Sequence, residues 1–165
     1  MKTQIELNKL LRQEVNSENP NESRIRELVE QRADLNAIED GESLLQDLLF
    51  SYENLDDLKL IEFLIDLGAD VNYRDKDGGS VLLDACMTHY SEPVKLILEK
   101  GADPNFLIDG YRTPLEWAMM DKGYHKLEFC NDVNSLDWQY YENLKVIIDL
   151  LEQYGAKTKD ELEKT

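Results

Sequence analysis

Cys86 and His89 stand three residues apart and are of the types that bind metal or activate a nucleophile. A structural zinc site takes four such ligands. Only one more cysteine, Cys130, and one more histidine, His125, exist in the chain. Nucleophilic catalysis needs a thiol or hydroxyl, a histidine and a group to orient it. Nothing in the spacing sets His89 or His125 against either cysteine, and Cys86 reads better as a small apolar core residue. Asp75-Lys76-Asp77-Gly78 has the Asp and Gly of a calcium loop. With Gly78 at the sixth position, however, the first ligand falls on Tyr73 and the twelfth on Asp84, where glutamate is wanted. Carboxylates are plentiful, but no spacing singles out an acid–base pair. There is no glycine-rich phosphate loop. The reading is of a chain that is not an enzyme and holds neither metal nor cofactor.

The totals narrow the partners. At 165 residues one domain is expected. A hydrophobic fraction of 42% suffices for a packed core. Net charge is −17, from 35 acidic and 18 basic residues. Phosphate backbones and anionic membranes require clustered Lys and Arg, so neither nucleic acid nor a membrane is expected as a direct partner. A basic protein would be attracted. No run reaches the roughly 20 apolar residues of a membrane helix. Residues 1–15 lack the apolar core of a secretory signal, and two cysteines 44 apart suggest no disulfide framework. A cytoplasmic location and a monomer are the simplest expectations.

The elements that would position any site come from a repeat. Gly68-Ala69-Asp70-Val71-Asn72 returns 33 residues later as Gly101-Ala102-Asp103-Pro104-Asn105. Arg32-Ala33-Asp34-Leu35-Asn36 precedes them and Gly155-Ala156-Lys157 follows. A second signal recurs as Asp40-Gly41-Glu42-Ser43-Leu44-Leu45, Asp77-Gly78-Gly79-Ser80-Val81-Leu82 and Asp109-Gly110-Tyr111-Arg112-Thr113-Pro114-Leu115. Thr113 with Glu116 and Ser43 with Gln46 have the spacing of capping boxes, and Pro114 suits a first helical position. Gly68, Gly101 and Gly155 each follow an amphipathic run, as helix-closing left-handed residues do. Arg32 departs from that rule. Leu82, Ala85 and Cys86, then Val94, Ile97 and Leu98, mark the buried stripes of two helices per unit. The small Ala85 and Ala118 allow close helix approach; Leu48 takes their place one unit earlier.

The Asp-Gly…Thr-Pro-Leu-x-x-Ala signature, the Val-x-x-Ile-Leu helix and the Gly-Ala-Asp-x-Asn loop resemble ankyrin repeats, over roughly residues 21–157. The resemblance implies an all-α solenoid of about four helix pairs joined by β-turns. The units expected are a capping repeat (1–36), repeat two (37–72), repeat three (73–105), repeat four (106–157) and a closing cap or tail (158–165). The cap's helices are expected near 3–15, with Leu7, Leu10, Leu11 and Val15 inward, and near 23–31, with Ile25, Leu28 and Val29 inward. The resemblance further implies a protein-binding concave face. Its turn residues would be Glu39, Asp40 and Glu42; Lys76, Asp77 and Gly79; and Asp109, Tyr111 and Arg112. Its helix residues would be Phe50, Met87 and Met120, for which a core position is the alternative.

Departures from the period point to specialisation. From Ser80 to Gly101 is 21 residues, from Ser43 to Gly68 is 25, and from Thr113 to Gly155 is 42. Four extra residues therefore fall near 51–57. A larger surplus falls between the last unit's helices, at about 121–142, and contains Tyr124, Phe129, Trp138, Tyr140 and Tyr141. Those aromatics either reach out to a partner or fold back to seal the stack. With Trp117, the residues Tyr124, Trp138 and Tyr140 complete the expected contact set. Residues 37–72 hold ten acids and one base, Lys59, a solvated face or an electronegative docking patch. Two functions fit: an inhibitor or immunity-type protein that masks a basic partner, and a general adaptor whose charge serves solubility.

Overall fold

The structure, a computed structural model, describes residues 2–39, 41–74, 79–108, 110, 112–128 and 136–164; for 124–128, 136 and 137 it describes the backbone alone. Nine helices lie among the described residues: α1 (Gln4–Val15), α2 (Glu22–Glu30), α3 (Leu44–Phe50), α4 (Leu55–Asp66), α5 (Val81–Met87), α6 (Ser91–Glu99), α7 (Pro114–Glu128), α8 (Leu136–Gln153) and α9 (Lys159–Leu162). They form four antiparallel pairs and a closing turn of helix. First helices pack in the row α3, α5, α7, and second helices in the row α4, α6, α8.

Local chemistry sets the ends. Ser43 accepts from the N–H of Gln46 while the Gln46 side chain accepts from the N–H of Ser43. Thr113 and Glu116 do the same for α7. Ser80 caps α5 through the N–H of Leu83 alone, because its third helical residue offers no acceptor. At the other ends Gly68, Gly101 and Gly155 adopt φ of 110°, 92° and 82°. The following alanine N–H groups of Ala69, Ala102 and Ala156 reach back to Leu64, Ile97 and Leu151 carbonyls. This pattern satisfies carbonyls the helix leaves over. Arg32 takes the same left-handed backbone, φ 80°, and Ala33 makes the same return bond to Leu28. The substitution is therefore in the side chain, not in the turn.

One continuous core runs through all four layers. Leu7, Leu11 and Val15 of α1 and Ile25 and Leu28 of α2 are buried, while Leu10 and Val29 pack partly against them. Ala85 and Ala118 are fully buried, and Leu48 fills their position in α3.

An asparagine ladder stitches the layers along one edge. The Nδ2 of Asn36, Asn72 and Asn105 donates to the carbonyl of Gly68, Gly101 and Gly155 at 3.3, 3.1 and 3.0 Å. The Oδ1 of each accepts from the N–H of Asp70, Asp103 and Lys157 at 2.7, 2.8 and 2.8 Å. In α1, two side chains share that work. Asn8 accepts from the N–H of Asp34, and Gln4 donates to the carbonyl of Arg32. Inside the stack, buried Gln46 donates to the carboxylate of Asp84 at 2.8 Å, joining α3 to α5.

The irregular units resolve physically. α4 begins 13 residues before Gly68, whereas α6 begins 10 before Gly101. Repeat two thus adds one turn to the front of its second helix and one residue to the connection. In repeat four the surplus lengthens both helices: α7 spans 15 residues where α3 and α5 span 7, and α8 spans 18. Thr158 and Glu161 cap the short α9 reciprocally.

Candidate functional site

The turns lead directly into the first helices α3, α5 and α7. In the first turn, Glu39 and Glu42 exchange backbone hydrogen bonds in an isolated antiparallel bridge. Arg74 with Ser80 and Ile108 with Arg112 form the equivalent bridges further along. The phenol of Tyr73 donates to the carbonyl of Gly41 at 3.1 Å and fixes the second turn on the first. Arg74 lies over the buried Phe106 ring, 4.9 Å from its centroid, and pairs with Asp103 at 3.1 Å.

Glu39 is not a bare charge. Arg12 reaches from α1, bridges Glu39 at 3.2 Å and Asp47 more closely, and donates to the carbonyls of Ala37 and Glu42. The Arg12 side chain is 14% exposed. It holds the turn in place as much as it neutralises it. Arg112, exposed, directs a guanidinium N–H at the sulfur of Met120, 3.0 Å away. Asp40, Lys76, Asp77, Asp109 and Tyr111 lie outside the described residues, as does the side chain of Tyr124.

Phe50, Met87 and Met120 are 65%, 47% and 52% exposed. The core alternative for them therefore does not hold. Each stands seven residues after the capping Ser43, Ser80 or Thr113 of its own helix, so the three form a row across successive layers.

Two aromatics of repeat four, Trp117 and Tyr140, gather elsewhere, at the connection between α5 and α6. His89 (φ 61°) follows α5, and its Nε2 lies 2.7 Å from the Asp121 carboxylate on α7. The Tyr140 ring of α8 stacks on the imidazole, with centroids 4.5 Å apart, and Trp117 stands 6.3 Å away. Trp138 is half-buried beside Tyr141 at 5.7 Å. Trp117, Asp121 and Tyr140 thus hold the lengthened hairpin against repeat three. Phe129, Cys130 and the side chain of His125 lie outside the described residues.

Cys86 is fully buried, and burial, with the Asp84 charge beside it, pushes its thiol pKa up and away from the nucleophilic thiolate. Among the described residues no three His, Cys, Asp or Glu are placed to hold a metal ion. No helix among them is long and apolar enough to cross a membrane.

A family profile described as "Ankyrin repeats (3 copies)" matches residues 48–131, just over half of the chain. The chain belongs to the ankyrin-repeat family. Similar proteins include the "Ankyrin repeat, SAM and basic leucine zipper domain-containing protein 1" of Homo sapiens, Nomascus leucogenys and Mus musculus, each 37% identical over 68 residues. The match covers 38% of this chain and 14% of the length of those relatives. Ankyrin repeats mediate protein–protein interaction, and the row of exposed Phe50, Met87 and Met120 lies on the first helices of this ankyrin stack.

Sequence reasoning missed three features of the ankyrin frame. The asparagine ladder was visible as the recurring Asn36, Asn72 and Asn105, which follow each loop at a fixed offset. The Arg12 clamp and the His89–Asp121 contact span 25–35 residues and leave no local trace in the sequence.

Proposed function

We propose that this ankyrin-repeat chain binds a basic protein across its turn tips and first helices, and inhibits that partner by masking the surface it works with. The carrying observation is the exposed row of Phe50, Met87 and Met120, one on the first helix of each of the three layers after the capping repeat, with Arg112 beside the last. Apolar anchors of this kind supply most interface energy. The net charge of −17 supports a basic partner, through faster encounter rather than tighter packing. The lengthened hairpin of repeat four, with Trp138 half-buried on it, extends the contact set.

The test is affinity capture with the whole chain, identification of the bound protein, and assay of that protein's activity with and without the chain. A basic partner whose activity falls, whose binding weakens with salt and which escapes a Met87→Ala, Met120→Ala double variant supports the reading. A captured partner that keeps full activity makes the chain an adaptor. An acidic or neutral partner, bound without regard to salt, overturns the electrostatic part.

A further inference from the structure

We propose that the groove between the capping repeat and repeat two receives an arginine-bearing apolar segment of a protein partner; the proposal rests on the reading of this chain as a protein-binding module. The groove encloses about 820 Å³ between the α1–α2 connection, the end of α3 and the front of α4. It exists because repeat two departs from its period. The added turn of α4 and the added loop residue raise a wall containing Ser51, Asn54, Asp56 and Asp57. The opposite wall is Val15 to Glu22, and Phe50 stands in the groove 65% exposed.

The charges are unequally answered. Asp47 is paired with Arg12, Asp56 with Lys59, and Asp57 accepts the N–H groups of Glu53 and Asn54. Glu18, Glu22 and Glu42 also line the groove, and among the described residues no cation pairs with them. Among the described residues Lys59 is the one cation of the lining, and it is held by Asp56. An occupant must therefore bring positive charge. These carboxylates are spread along two walls and make no metal-holding group among the described residues, which fits an extended cationic segment better than an ion. The exposed Phe50 ring selects arginine over lysine, since a planar guanidinium stacks on an aromatic face while its fork reaches a carboxylate. An apolar neighbour in the same segment would cover the rest of Phe50.

The experiment is a heteronuclear NMR titration of the ¹⁵N-labelled chain with the peptide acetyl-Leu-Arg-Gly-Leu-Arg-amide. Saturable shifts confined to residues 15–22 and 42–60 are expected. The triple variant Glu18→Gln, Glu22→Gln, Glu42→Gln should weaken binding about tenfold or more, because it removes the unanswered charges. A control of equal charge loss on the second helices, Glu99→Gln, Asp149→Asn, Glu152→Gln, should stay within about twofold. Equal weakening by both triples, or shifts spread over the whole chain, would mean net charge alone and would overturn the site. Equal binding of a peptide with lysine for arginine would overturn the arginine assignment. Partner capture through Met87 and Met120 that survives loss of the groove leaves the module reading standing, so the two failures are separable.

Discussion

Asn72 holds Gly101 and Asp103 with a single amide: its Nδ2 donates to the Gly101 carbonyl at 3.1 Å and its Oδ1 accepts the Asp103 N–H at 2.8 Å. The two bonds join the loop of one repeat to the loop of the next. Asn72→Ala should therefore cost about 1–2 kcal/mol, the net worth of two such bonds, read as a lower urea midpoint. Asn72→Asp keeps the acceptor alone and should recover no more than about half of that loss. An unchanged midpoint for the alanine variant would show the ladder to be decoration.

Gly68 and Arg32 share a left-handed backbone, so reciprocal substitutions should move stability in opposite directions. A Cβ at Gly68 would meet nothing within 4 Å, which leaves conformation as the only cost. Gly68→Ala should lose about 1 kcal/mol and Arg32→Gly should gain about 0.5–1 kcal/mol. Thermal unfolding of the two variants beside the parent chain checks both signs.

The buried Gln46–Asp84 bond predicts a pH-dependent variant. Gln46→Leu removes a donor from a buried carboxylate and should cost about 2 kcal/mol. Gln46→Glu sets a second carboxylate there, whose folded pKa must lie above its unfolded value of about 4.3. Its penalty is therefore small below that pH and grows as pH rises through it. Melting temperatures at pH 4 and pH 7 should converge on and diverge from the parent accordingly.

Glu6 and Glu161 are held below the ordinary glutamate range, first by the backbone N–H of Thr3 and Thr158 and then by their hydroxyls. A depressed folded pKa stabilises fully above the unfolded value, and that support is lost as pH falls through the folded one. Carboxyl ¹³C titration should give midpoints for both residues below the ordinary glutamate value. Midpoints at that value would contradict the capping geometry in solution.

Tyr140 and Asp121 hold the lengthened hairpin on His89. Tyr140→Ala should remove about 1 kcal/mol of ring contact and speed amide exchange in 136–144, leaving α5 and α6 protected. Uniform loss of protection across repeat three would instead make the ring part of the common core.

The repeat, the Ser43, Ser80 and Thr113 caps and the glycine closures were legible because each is a local signal at a fixed distance. Arg32 read as a departure, yet the stack imposes the same φ on it; side-chain identity is a weaker signal than the turn. The surplus in repeat four was countable, but counting residues does not give their conformation. Most of it continues α7 and α8 instead of forming a loop between them, with Gly123 accommodated inside α7. Phe50, Met87 and Met120 were placed correctly in register, but whether they faced core or solvent depended on neighbours the pattern does not name. Arg12 gave no warning at all, since every partner it holds lies at least 25 residues away.

The ladder also has a mechanical consequence. Its links are alike, lie on one edge and run in chain order, so a force applied to the two termini meets them one after another. Under tension the molecule would lengthen in discrete steps, each releasing roughly one layer's worth of chain. The lengthened α7–α8 pair, with its own grip on His89, would yield as the longest step.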